Sequence, residues 1–94
     1  MDPLSRIREE GLYYLFEEGP EGPGYATYEL EDGLYLYAFS DEEKARALAE
    51  RWGAEVGYFP EPTALAEGLP EVRGLLLDYD PTTEEAYRVR WEEL

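Results

Sequence analysis

The chain reads as an α+β fold, a single mixed sheet of about five strands with helices packed on it, in the order α-β-β-β-α-β-α-β-α. Three observations predict this. Apolar runs of strand length alternate with capped helical segments. An Asp32-Gly33 pair, the preferred chemistry of a tight hairpin turn, separates two β-favouring runs. Val72 to Leu77 is a continuous aliphatic stretch of the kind found in strands covered on both faces. With 94 residues, 44% hydrophobic and 15% aromatic, the chain can fill one core and is expected to form one domain over residues 1–94.

Asp2-Pro3 predicts a short opening helix, because the aspartate can accept from free amides and proline suits the first helical position; Gly11 should end it. Leu12 to Phe16 is apolar and rich in aromatic side chains, hence a strand. Glu18 to Gly24 holds two prolines and three glycines and reads as a loop. Tyr25–Leu30 and Leu34–Phe39 then form the hairpin, with Glu31 opposite Leu34, Tyr28 opposite Tyr37 and Ala26 opposite Phe39. Ala26, Tyr28, Leu30, Tyr35, Tyr37 and Phe39 share one face, and Thr27, Glu29, Glu31, Leu34, Leu36 and Ala38 the other; either can be the buried one. Ser40-Asp41-Glu42-Glu43 predicts a capping box with Ser40 as the cap, and Ala45, Leu48, Ala49 and Trp52 form the buried stripe of the helix that follows, stopped by Gly53. Ala54–Phe59 reads as a strand, Thr63–Glu67 as a helical turn closed by Gly68, and Val72–Leu77 as a central strand. Asp80 or Thr82 should cap a last helix in which Tyr87, Trp91 and Leu94 share a face.

Eight basic against 23 acidic residues give a net charge of −15. Such a surface repels nucleic acid and anionic membranes, whose recognition runs on lysine and arginine, and attracts basic proteins. No apolar run is long enough to span a membrane, and the charged N-terminus does not resemble an export signal, so a cytoplasmic location is expected. The absence of cysteine fits a reducing compartment, and the lack of Asn and Gln beside abundant Glu and Arg reads as a thermophile's composition.

Catalytic equipment is sparse. Without His or Cys, the usual proton shuttle, the commonest metal ligand and the thiol nucleophile are missing. Gly19 to Gly24 lacks the Gly-Lys-Ser/Thr ending of a phosphate cradle, and Glu21 would repel phosphate. The adjacent glutamates, such as Glu17/Glu18 and Glu42/Glu43, diverge on any regular element and read as solvated surface. Leu75 to Thr82, an aliphatic strand ending in Asp78-x-Asp80-x-Thr82, resembles the nucleophile motif of haloacid-dehalogenase-type phosphatases, in which the first aspartate attacks phosphorus, the second is acid/base and magnesium bridges them. That family needs a much larger domain after the motif, whereas twelve residues follow Thr82, so Asp78 is read as a strand end and Asp80 as a helix cap. No catalytic, cofactor-binding or metal-binding residue is therefore expected. The candidate interface is the aromatic hairpin face, Tyr28, Tyr35, Tyr37 and Phe39, because tyrosine brings large contact area at low entropy cost; the same residues can equally be core.

From Leu34 to Pro81 the pattern resembles the N-terminal domain of SseB-like bacterial proteins, the family named for enhanced serine sensitivity. The resemblance rests on the strand ending in Phe39-Ser40-Asp41-Glu42, the helix with Ala45 and Ala49, the Pro62–Leu65 segment, Leu69-Pro70 and the aliphatic strand Gly74–Leu77. It implies a mixed α/β fold and no established catalytic residues. The expected function is that of a non-enzymatic interaction or regulatory module that binds a protein, possibly itself as a homodimer. The alternative is an acidic inhibitor, an immunity protein or nucleic-acid mimic that binds a basic partner.

Overall fold

The structure is a computed structural model that describes residues 2–94, and it has an α+β architecture built on one mixed sheet. Three helices, α1 (Pro3–Glu10), α2 (Glu42–Trp52) and α3 (Pro62–Gly68), are joined with seven strands: β1 (Leu12–Gly19), β2 (Gly22–Tyr25), β3 (Thr27–Leu30), β4 (Gly33–Phe39), β5 (Glu55–Phe59), β6 (Val72–Asp80) and β7 (Glu85–Arg90). A 3-10 turn, Trp91–Glu93, ends the chain. The main path across the sheet is β2-β1-β4-β6-β7, with β3 paired to β4 and β5 paired to β1. Among the described residues only β4 and β6 pair in parallel; the other pairings are antiparallel.

β4 and β6 form the spine because both are apolar on both faces. Leu36, Ala38, Leu75 and Leu77 point into a cluster with Ile7 of α1, Leu65 of α3 and Val89 of β7. Tyr35, Tyr37, Phe39 and Leu76 point the other way, into a cluster with Ala45, Leu48 and Ala49 of α2 and with Leu15. Each fully buried leucine or phenylalanine in these layers contributes roughly 1.5–3 kcal/mol.

Several expectations hold at residue level. Asp2 accepts from the Ser5 amide at 2.9 Å, and Gly11 closes α1 at φ +87°, a left-handed conformation that glycine adopts without strain. Others need correction. The hairpin turn is Glu31-Asp32 rather than Asp32-Gly33, so Leu30 faces Gly33, Tyr28 faces Tyr35 and Thr27 faces Leu36. This slide of two positions preserves which residues share a face. Gly33 sits against Arg73, where a Cβ would lie 2.7 Å from Cγ, so the wider side chains begin one residue later. The expected single strand 25–30 breaks at Ala26, whose amide donates to the Leu15 carbonyl while its own carbonyl accepts from Tyr37. The expected loop 18–24 is instead the tip of the β1–β2 hairpin, with Glu18 opposite Pro23. Proline is tolerated there because β2 lies at the edge.

The largest correction is at the C-terminus, where residues 85–90 form a strand and not a helix. Tyr87, Val89 and Trp91 recur at period two, while Tyr87, Trp91 and Leu94 fit a helical face, so local pattern left both open. The partner decides: β6 has an outer edge whose backbone groups need pairing, and β7 satisfies them while seating Val89 opposite Leu75. The Trp91 indole then donates to the Val72 carbonyl at 2.6 Å.

β6 and β7 approach so closely at Gly74 that a Cβ would overlap the Val89 carbonyl. Gly74→Ala is expected to destabilise the protein by about 1–3 kcal/mol, read as a lower thermal midpoint, whereas the same change at the open Gly68 should be nearly silent.

Candidate functional site

The four aromatics of the hairpin face, which the sequence leaves open between core and interface, are split by α2. Its stripe, Ala45, Leu48 and Ala49, lies over β4, so Tyr35, Tyr37 and Phe39 are buried within the chain. They cannot offer contact area to a partner, and of the expected set only Tyr28 is exposed, at 52%. The stripe itself ends early: Trp52, expected to be buried, is 40% exposed.

Trp52 instead leans off the end of α2 onto Tyr37, edge to face at 5.0 Å between ring centres. Tyr28 meets Tyr37 at 6.4 Å and Tyr79 meets it at 5.4 Å, while Trp52 and Tyr79 stand 6.1 Å apart. One buried ring is thus surrounded by three rings nearer to solvent. Burial, then the neighbouring phenols of Tyr79 and Tyr28, hold the Tyr37 hydroxyl above the usual tyrosine value. Tyr79 joins it through a break in register between Leu77 and Asp80, where Asp78 adopts φ +55°. A regular strand would turn Tyr79 to the opposite face; the bulge re-aims it. Beside these rings lies a groove of about 420 Å³, lined also by Leu30, Leu76, Ala86 and Glu84. A wider hollow of about 800 Å³ between α2 and β5 is walled by Glu50 and Glu55, and its Arg46 is tied to Glu42.

The Asp78–Asp80 pair is differently employed. Asp78 accepts from the Ser40 amide and from the Ser40 hydroxyl, each at 2.8 Å, with the Lys44 ammonium 3.7 Å away. Its side chain is only 4% exposed, so it ties the end of β6 to the end of β4. Ser40 is consequently not the cap of α2; Asp41 takes that place and accepts from the Glu43 amide. Nor does Asp78 end the strand, which runs on to Asp80, and Asp80 caps no helix but accepts from the Thr82 amide in the turn to β7. Among the described residues, no three Asp or Glu side chains converge into a set that could hold a metal ion.

A third cluster was not visible in sequence. The Asp32 carboxylate accepts from the Tyr35 hydroxyl at 2.7 Å and pairs with Arg90 at 3.0 Å. Its Oδ1 makes no hydrogen bond and has Arg88, at 3.3 Å, as its ionic partner. Arg88 also lies over the Tyr35 ring at 5.3 Å, and Arg73 donates to the Asp32 carbonyl. Gly74, between Tyr35 and Arg90 in the cross-strand register, leaves room for the arginine to reach over. The Tyr35 hydrogen bond, with Arg88 and Arg90 adding to it, holds the Asp32 carboxyl below the ordinary aspartate value.

Comparison with protein-family models, curated proteins and solved structures finds no match to this chain.

Two outcomes test these assignments. Asp78→Asn replaces an acceptor of two bonds by a group that turns an amide toward Ser40, and should cost about 1–3 kcal/mol in denaturant unfolding; Ser40→Ala should cost less, because the Ser40 amide still bonds Asp78. Asp32 has a folded-state pKa below its unfolded value of 3.8, so its contribution to stability is complete above that value and is lost as pH falls through the lower one. Tyr35→Phe should move the Asp32 titration, followed by carboxyl NMR, back toward 3.8 and reduce this acid dependence.

Proposed function

We propose that the protein is a non-enzymatic protein-binding or regulatory module that receives its partner on the aromatic surface of Tyr28, Trp52 and Tyr79 and the groove beside it. The observation that carries this reading is that three large rings remain near solvent while packed in fixed geometry around Tyr37. Rigid aromatic surface of this kind is what binding hot spots are made of, since little side-chain entropy is left to lose. The chemical inventory supports it, because His and Cys are absent from the sequence and the Asp78 and Asp80 carboxylates are engaged with Ser40 and Thr82.

The acidic-inhibitor reading needs carboxylates gathered on one face, as a duplex presents phosphates. The exposed ones are instead spread over nearly every element, among them Glu9 and Glu10 on α1, Glu17, Glu18 and Glu21 at the β1–β2 tip, Glu29 on β3, Glu43 and Glu50 on α2, Glu55 on β5, Glu67 on α3, Glu85 on β7 and Glu92 and Glu93 in the last turn. This favours the first reading. The SseB-like kinship is retained as part of the proposal, with its segment folding as β4-α2-β5-α3-β6.

The test is affinity capture from the source organism with the wild type and with Tyr28→Glu/Trp52→Glu. Both side chains are exposed, so the fold should survive. A protein recovered with the wild type should bind the double variant with a loss of about 2 kcal/mol or more, near thirty-fold. Unchanged binding would assign the partner to another surface and end this reading.

A further inference from the structure

β7 is an outer strand of the sheet and, among the described residues, pairs only with β6. Five of its six residues are exposed. An outer strand presents alternate N–H and C=O groups to solvent, and folded chains normally protect such edges. The other three outer strands are protected: β2 contains Pro23 between two glycines, β5 contains Gly57 and runs directly into Pro60, and β3 is only four residues long with Glu29 on it. β7 has neither proline nor glycine.

We propose that β7 is an interface between two copies of this chain, paired antiparallel about a two-fold axis at Tyr87. Charge is the argument for a second copy. The segment is polarised, with Glu84 and Glu85 at its start and Arg88 and Arg90 at its end. An antiparallel copy sets the acidic end of each strand against the basic end of the other, whereas a parallel copy opposes like charges. These four charges sum to zero, and with Asp32, which pairs Arg88 and Arg90 within its own chain, to −1, so little of the chain's net charge of −15 opposes association at this edge.

Symmetry then selects the register. Antiparallel partners alternate between hydrogen-bonded and non-hydrogen-bonded positions, so a two-fold axis normal to the sheet must pass where one residue faces its own copy. Centring on Arg88 would bring two guanidiniums opposite each other. Centring on Tyr87 sets ring against ring, Ala86 opposite Arg88 and Glu84 opposite Arg90. Tyr87 is 60% exposed, more than any other large hydrophobic side chain among the described residues. The paired sheets become continuous, with both aromatic grooves on the same side and Ala86 of each groove beside the axis. This association does not depend on the partner-binding reading and stands if that reading fails.

Sedimentation velocity of the full chain should show a mass rising toward twice that of the monomer up to about 100 µM, the range of a small transient interface. Tyr87→Lys, with an unchanged circular dichroism spectrum, should remain monomeric across that range. The chain has no cysteine, so Tyr87→Cys can be cross-linked alone. Under mild oxidation it should form a disulfide dimer about ten-fold faster or more than Tyr25→Cys on the protected edge β2, because only the facing pair lies within disulfide reach. A wild type that stays monomeric, a dimer that persists in Tyr87→Lys, or equal cross-linking of the two cysteine variants overturns the proposal. If Tyr87→Lys fails to fold, the cross-linking comparison decides alone.

Discussion

Leu36, Ala38, Leu75 and Leu77 leave one face of the parallel β4–β6 pair, while Tyr35, Tyr37, Phe39 and Leu76 leave the other, and both faces must be covered. The remaining elements answer that demand with little chain to spare. α1, α3 and the last turn close the first face, and α2 closes the second. Parallel strands are rarely left open to water, because their side chains are apolar on both sides. The Ser40–Asp78 bonds belong to the same constraint, since they join the two parallel strands where α2 departs.

The coverage is uneven, and the candidate site follows from that. α2 is eleven residues long and packs over Phe39 and Leu15, with its last side chain, Trp52, resting on Tyr37. Beyond it the second face is carried by β3, β6 and β7, where Tyr28, Tyr79 and Ala86 border an open groove. Farther toward the hairpin turn the face is closed electrostatically, by Arg88 and Arg90 reaching from β7 to Asp32 and Tyr35. An aromatic-lined groove with Glu84 at its margin thus lies between a helix and a charged latch. Ionic closure suits a strongly acidic chain, because the arginines neutralise charge where the hairpin turn meets the sheet.

Strand β7 shows why periodicity had a limit here. Tyr87 and Trp91 are four residues apart and also belong to the alternation Tyr87, Val89, Trp91, so the same residues serve a helix or a strand. The hairpin register was limited differently: Asp32-Gly33 is good turn chemistry, yet Asp32 bonds Tyr35, Arg88 and Arg90, and Gly33 lies against Arg73. Those partners are 40 to 58 positions away for the arginines, beyond any local rule. The shared face of Tyr28 and Tyr37 survived because a slide of two residues conserves side-chain direction.

Sequence alone determined what rests on short-range chemistry: the capped first helix, the amphipathic α2, the aliphatic central strand, the net charge and the absence of imidazole and thiol. Tertiary structure decided which aromatics are buried, that Ser40 serves Asp78 instead of capping α2, that Tyr79 turns toward Tyr37, and that the C-terminal segment is a strand. The division has one physical reason. Caps and stripes are satisfied within a turn or two of chain, whereas burial of a sheet face and pairing of a strand edge depend on which distant segment arrives to cover them.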